Sequence, residues 1–513
     1  VLKPIPWQKL KLDGELSLAE SERERYAEDA SVHRAVPQAV AYPKNTKDLE
    51  RIVAFCRSHS VPIHGWGMGT SRGGQPVGSG LSVNFRRYFS KIIGFDKETN
   101  ELTVECSALY SEVQKYLRVL GRSFPPDPSY HQVTIGGMVA NNAAGIHSVK
   151  YGGTIEHITG VEFLTTDGLW HSTDTADELS AKVDTFLRAS DFSDYPDVEK
   201  NSAGYSLTRG ITDGKLDLAK LFCGSEGTLA LFSHIRLRTV PLAQATSLAI
   251  LYFDSLEAAC QAAMDLRIFD IAACELVDKV LLDLHAAAKH GSAPQHAKKI
   301  FANPFLKLFW AEKAEAILIV ETEGETKEES LQVLMKALHR IDTVSRVANS
   351  PEEAEQIWNL RRHTSPILNR LEDGKIAIKP LWGVEDVSLP TATFLPYLKE
   401  QKELFVKHGL TCSFFGHAGS CNLHIDPIAI DPRVARQDEE TAKLFDLVAK
   451  ESYELVVKYG GSISGEHGDG IARTPYLKMQ YPKSHALFSQ LKKLFDPSGI
   501  LNPGKIAEAL KHA

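Results

Sequence analysis

Apolar positions first recur at helical spacing after Asn45, at Leu49, Ile52, Val53 and Cys56, with Asn45 placed to cap the helix they predict. Just before it, Ala39–Tyr42 is an apolar run ended by Pro43 and predicts a strand. Val61–Ile63 predicts another strand, running into a glycine-rich stretch at 65–80. Leu102–Cys106 alternates like a strand, and Val113, Leu117 and Leu120 mark a following helix. Strand and helix alternate in this way to about Pro241, which predicts one mixed α/β unit. From about Thr246 the texture changes. Leu248–Phe253 and Ala316–Thr322 read as strands, followed by helices near Leu256–Leu266 and Lys327–His339. These pairs predict a second, α+β unit whose sheet is covered on one side. Residues 1–35 read as a charged, amphipathic leader wrapping the first unit, and 285–310 as an irregular insertion.

Composition narrows the class. A chain of 513 residues suggests two to four domains, and 43% hydrophobic with 24% charged residues is an ordinary globular balance. The net charge of −7 and a pI near 6.3 offer no basic surface for nucleic acid or membrane. Seven cysteines, an odd number with no CxxC pair, argue against a disulfide framework, an iron–sulfur cluster or a zinc ribbon. They point to reduced, mostly buried thiols and a cytoplasmic location. No signal-peptide pattern opens the chain, and no apolar run reaches the roughly 18–20 residues that span a bilayer. The first residue is not Met, which leaves a removed leader open.

Four segments share a small-residue texture. The first is Gly65-Trp66-Gly67-Met68-Gly69-Thr70-Ser71-Arg72-Gly73-Gly74-Gln75. Glycines let successive N–H groups converge on one anion, which suits a pyrophosphate; an ordinary surface loop is the alternative. The second is Phe124–Ser129 followed by Thr134–Gly145, where the small side chains of its second half permit close approach to a flat ligand, or tight packing without one. Asn201–Tyr205 and Gly224–Leu229 are the others.

The C-terminal third adds Gly416-His417-Ala418-Gly419-Ser420-Cys421-Asn422-Leu423-His424 and Ser464-Gly465-Glu466-His467-Gly468-Asp469-Gly470. His417, His424 and Glu466 could form a two-histidine, one-carboxylate cation site with room for substrate. The histidines are seven positions apart, so a straight strand would put them on opposite faces; a bend at 418–421 is required. Among 19 histidines, ordinary hydrogen-bonded ones are the competing explanation.

Together the four small-residue segments, GHxGxxNxH and GEHG resemble the PCMH-type flavoproteins of the vanillyl-alcohol-oxidase superfamily. Within it they are similar to the D-lactate dehydrogenase, glycolate oxidase D-subunit and D-2-hydroxyglutarate dehydrogenase branch. The resemblance implies an α+β fold: a discontinuous FAD-binding domain at 36–243, completed by 456–513 after the 1–35 leader. An antiparallel-sheet substrate cap with helices on one face would occupy 244–455. It implies non-covalent FAD, since no histidine stands at a covalent-attachment position. Contacts to it fall on Gly67, Gly69, Thr70, Ser71, Gly73, Gly74 and Gln75 in the first segment. Pro128, Thr134, Gly136, Gly137, Asn141, Ala144 and Gly145 follow in the second, then Gly224, Glu226 and Gly227, and Asn502 near the end.

The resemblance further implies that His417, His424 and Glu466 bind a divalent ion, zinc or manganese, and that His467 takes the substrate proton as hydride passes to flavin N5. Arg361, Lys379 and Asp426 would contact substrate, while Arg362 is solvated or paired. The implied reaction converts a D-2-hydroxy acid to the 2-oxo acid. An external acceptor would then be needed: a quinone, cytochrome, electron-transfer flavoprotein or iron–sulfur subunit, and membrane association through such a partner is compatible. A homodimer is compatible. Three departures stand out: Trp66 where the family usually has arginine, Ser420-Cys421 in place of Asp-Gly, and Asp426 where hydroxyglutarate enzymes often have Asn. An oxidase, a non-redox relative such as an alkyl-glycerone-phosphate synthase, and a flavin subunit of a larger electron-transfer complex are the rival readings. A flavin-free metal hydrolase is disfavoured by the lack of HExxH.

Overall fold

The helix expected after Asn45 spans Thr46–His59, and the Asn45 side chain accepts the Asp48 N–H at 3.1 Å. Leu49, Ile52, Val53 and Cys56 are all buried on its inner face. They share a core with Ala39, Ala41, Ile63, Leu81 and Val83. A computed structural model describes residues 4–287, 313–362, 384–428 and 439–507 of the chain. Most of the expected insertion at 285–310, and Lys379, lie outside the described residues.

The first sheet has four strands in the order Glu15–Ser17, Ala39–Tyr42, Leu81–Asn84, Ile63–Trp66. The last three are parallel, while Glu15–Ser17 from the leader adds antiparallel at the edge. The strand expected at Val61–Ile63 starts later, at Ile63. Pro62 has no N–H to give a ladder, and its carbonyl instead accepts from Leu81 N–H at 2.7 Å. A second, antiparallel sheet has the order Ile92–Asp96, Glu101–Glu105, Leu231–Arg238, Ile158–Leu164, Trp170–Ser172. The C-terminal segment returns to the first sheet: Ile63 N–H donates to the Ile500 carbonyl at 2.7 Å, and Asn502 N–H to the Ile63 carbonyl at 2.8 Å.

The third sheet has seven antiparallel strands: Val344–Val347, Ala245–Phe253, Ala316–Gly324, Ile271–Asp278, Thr411–His417, Asn422–Ile428 and Val387–Ser388. Alternate residues along a strand face opposite sides. Ala249, Leu251, Cys274, Leu276 and Leu318 join the core that also holds the helices Leu256–Leu266, Lys327–Arg340 and Phe394–Lys407. Leu248, Ile250, Ala273, Val277 and Ile319 form a second cluster with Ile146, Trp358 and Leu360. Both faces are therefore buried, where cover on one side was expected, and this double burial is why these strands read as unbroken apolar runs. The second face carries Ile146, next to the Thr134–Gly145 segment, and so sets that segment against the sheet. Six of the seven cysteines are buried, Cys412 is half-buried, and none is in a disulfide. Among the described residues no helix is long and apolar enough to cross a membrane.

Candidate active site

Two walls meet at a cavity of about 660 Å³. The first is the glycine-rich one. Gly67, Gly69, Thr70, Ser71 and Gln75 border the cavity from the 65–75 loop. Pro128, Thr134, Gly136, Gly137, Asn141 and Ala144 border it from the second segment, and Glu226 and Gly227 from the last. Thr134 caps the helix Ile135–Asn141, accepting the Gly137 N–H at 3.2 Å, and Asn141 Nδ2 donates to Ser71 Oγ at 3.3 Å. The missing side chains are required by close approach. A Cβ on Gly136 would lie 2.7 Å from the Cys106 carbonyl oxygen, and one on Gly145 would overlap the Asp127 carbonyl. Trp66 is buried and packs edge-on against Tyr26, so it supplies shape to the loop base.

Five expected cofactor contacts, Gly145 among them, do not border the cavity and stand behind this wall. Gly73 accepts the Ile471 N–H at 2.7 Å through its carbonyl, and Gly74 takes a φ of +80° against His33. Gly224 takes a φ of +79°. Asn502 Nδ2 donates to the carbonyls of Gln75 and Glu226, at 2.9 and 2.7 Å, and so ties two segments of the wall together.

The second wall carries the histidines. The bend expected at 418–421 is present as a one-turn helix, Ala418–Ser420, closed by Cys421 at φ +51°. It turns the two strands into a hairpin in which His417 pairs with Asn422. Directly paired residues share a face, and His424 lies two positions beyond Asn422, so both imidazoles project to one side. His417 Nε2 is 3.1 Å and His424 Nε2 3.6 Å from Glu466 Oε1. His467 stacks on His424 with ring centroids 4.9 Å apart.

Partners behind each ring fix which nitrogen faces inward. His417 Nδ1 donates to Glu275 Oε1 at 2.7 Å, and His424 Nδ1 to the Glu385 carbonyl at 3.1 Å. Both Nε2 atoms are thus left toward Glu466, the arrangement seen around metal-binding histidines. Asp386 Oδ2 accepts the N–H groups of Glu466 and His467, at 2.8 and 2.7 Å, and holds that turn. Glu385 lies 3.4 Å from His467 Nδ1 and 2.9 Å from Arg473. Lys200 Nζ donates to Glu466 Oε2 at 2.6 Å. Two nitrogens and one carboxylate oxygen within 4.8 Å of one another fit a divalent cation by position and donor type.

Electrostatics agree with that fit at Glu466 and His424, and oppose it at His417. Burial raises the Glu466 carboxyl, but Lys200 and His417 outweigh it and hold the group well below the usual range. Burial, then the neighbouring His467, push His424 far down, keeping a lone pair available. Burial lowers His417, yet Glu275 against its other nitrogen outweighs this and raises it.

The expected substrate residues divide. Arg361 Nε donates to Glu275 Oε2 at 2.7 Å, while its buried Nη2 has no partner among the described residues and the residue borders the cavity. Arg362 is paired with Glu355, as expected. Asp426 shares the strand face of His424; neither carboxylate oxygen has a hydrogen-bond partner among the described residues, and Arg72 Nη2 stands 3.8 Å away. Burial pushes the Asp426 carboxyl up to about 6.

The walls interlock. Gln75 Nε2 donates to the His467 carbonyl at 2.7 Å, and Glu226 Oε2 accepts the Gly470 N–H at 2.9 Å. Burial pushes the Glu226 carboxyl up to about 7. Sequence reasoning missed Lys200, Glu275 and the roles of Glu385 and Asp386. A signal existed for Glu275: it is the lone glutamate in Ile271–Asp278, a strand buried at every position.

Comparison with known proteins places this architecture. The family described as FAD linked oxidases, C-terminal domain, matches residues 242–506, and an FAD binding domain matches 37–174. The chain is 28% identical over 516 residues to glycolate oxidase subunit GlcD of Bacillus subtilis (strain 168), covering 99% of this chain and 97% of that protein. It is 26% identical to a D-lactate dehydrogenase of Anaerostipes hadrus, covering 93% and 91%. Against the D-2-hydroxyglutarate dehydrogenase of Escherichia coli (strain K12) it is 27% identical over 96% of this chain, but spans only 50% of that protein. The fold is also that of p-cresol methylhydroxylase (TM-score 0.68, 15% identity, 97% of this chain and 95% of that one). With the family matched over more than half its length, the chain belongs to the FAD-linked oxidases and is an FAD-dependent oxidoreductase.

Proposed function

We propose that this chain oxidises a small D-2-hydroxy acid, of the D-lactate or D-2-hydroxyglutarate type, to its 2-oxo acid. The observation that carries the reading is that His424, Glu466 and His467 border the same cavity as the glycine-rich wall. FAD, bound non-covalently along that wall, supplies a two-electron acceptor. A zinc or manganese ion held by His417, His424 and Glu466 supplies a Lewis acid for the substrate oxygens.

The chain's own residues then have defined tasks. Glu385, 3.4 Å from His467 Nδ1, is placed to orient the ring, which would leave Nε2 to take the hydroxyl proton. Arg361 Nη2 is placed to meet a carboxylate, with Glu275 holding the guanidinium still. Asp426 offers two acceptor oxygens to a donor on the substrate. Residues 36–243 and 456–513 form the flavin domain and 244–455 the cap, so the reaction lies between them. An external electron acceptor completes the cycle.

Anaerobic flavin bleaching against a panel of D- and L-2-hydroxy acids tests this. The D-acids bleach the flavin and their L-enantiomers do not. Equal bleaching by both enantiomers, or by neither, refutes the proposal. Peroxide formation in air would mark the chain as an oxidase.

A further inference from the structure

We propose that Lys200 is a positioning residue that holds Glu466 to one-oxygen ligation and so keeps a coordination position open for substrate. The inference rests on the cation reading above and deepens it. The Lys200 side chain is only 3% exposed, and its Nζ donates to Glu466 Oε2 at 2.6 Å and to Asn422 Oδ1 at 2.7 Å. The two oxygens of Glu466 therefore face different partners. Oε1 faces the Nε2 atoms of His417 and His424, while Oε2 is occupied by the ammonium.

The lysine is itself held from behind. Asn422 Nδ2 donates to Asp386 Oδ1 and to the Val387 carbonyl, each at 2.9 Å, which orients Oδ1 toward Lys200. Asp386 also fixes the backbone of Glu466 and His467. One acid thus sets both the turn that presents the carboxylate and the amide that steers the ammonium.

A carboxylate flanking a divalent ion can bind through one oxygen or two. In a dry pocket a freed second oxygen needs a new positive partner, because leaving it unpaired costs a full desolvation penalty. Without Lys200 that partner is the cation, and two-oxygen ligation would fill the position that a substrate oxygen needs. Losing a nearby positive charge also makes the site more attractive to a cation. Removing Lys200 should therefore raise coordination number without weakening metal uptake, an outcome a merely structural lysine would not give.

The test uses flavin-loaded, full-length protein reconstituted with Co²⁺, whose visible absorption weakens as coordination number rises. Lys200→Met should keep its flavin spectrum, bind Co²⁺ at least as tightly as wild type in a chelator competition, and show weaker cobalt absorption. Turnover with the hydroxy acid that bleaches the wild-type flavin should fall about 10- to 100-fold, mainly through KM. Lys200→Arg should restore the cobalt spectrum. Lys200→Leu, which likewise removes both the charge and the donor, carries the same test if Lys200→Met does not retain flavin. A Lys200→Met or Lys200→Leu protein with unchanged cobalt absorption, or with weaker cobalt binding, overturns the assignment of Lys200 alone. A wild-type protein that takes up no cobalt overturns the cation reading beneath it.

Discussion

On one wall of the cavity, a single added carbon at Gly136 would meet the Cys106 carbonyl oxygen at 2.7 Å. On the other, His417 and His424 each have a hydrogen-bond partner behind them, Glu275 and the Glu385 carbonyl, and the Glu385 carboxylate lies 3.4 Å from His467 Nδ1. The glycine wall is shaped by side chains left out, and its tolerance is steric. The histidine wall is shaped by charges held in place, and its tolerance is electrostatic. A change on either wall should therefore damage one ligand and spare the other. The hydrogen bonds from Gln75 to His467 and from Gly470 to Glu226 are where this independence can fail.

The sharpest separation comes from His467→Ala. Flavin reduction by substrate should fall about 10²- to 10⁴-fold in stopped-flow absorbance while the bound flavin spectrum is unchanged. Loss of flavin from this variant would show that the walls act as one unit. Next is Glu275→Gln, which loosens both His417 and Arg361. Metal affinity should drop about 10- to 100-fold in a competition titration, again without flavin loss.

Gly136→Ala probes the opposite wall. Overpacking against the Cys106 backbone should cost about 1–3 kcal/mol, seen as flavin release at lower urea, while metal uptake is retained. The smallest effect is at the seam with the seven-stranded sheet. His147 lies 3.1 Å from Asp127 on the flavin side and 3.0 Å from Glu321 on the sheet. Burial lowers its pKa, but these carboxylates outweigh that and raise it from 6.5 to about 10. Its contribution, on the order of 1 kcal/mol for a pair partly open to water, is complete below pH 6.5 and lost as pH rises through 10. His147→Gln should flatten the melting-temperature profile across that window.

The two walls also differed in how far the sequence revealed them. The glycine segments and the GHxGxxNxH and GEHG runs are local, so the sequence offered a cradle and a ligand set as candidates, and the family resemblance set them above an ordinary loop and ordinary hydrogen-bonded histidines. The hairpin at 418–421 was forced by parity once both histidines were required on one face. What holds the cluster was hidden by distance: Lys200 meets Glu466 across 266 residues, and Glu275 meets His417 across 142. Such pairs follow from sheet order and packing, which short-range periodicity does not encode. Asn502 shows the same limit, since its tie between Gln75 and Glu226 depends on the C-terminal return beside Ile63.

The proposed reaction needs flavin and cation together in one pocket. Its most direct test is anaerobic flavin bleaching by a D-2-hydroxy acid before and after chelation of the flavin-loaded protein. Bleaching should stop on chelation, with flavin still bound, and return when zinc or manganese is restored. Bleaching at an undiminished rate in metal-free protein would contradict it.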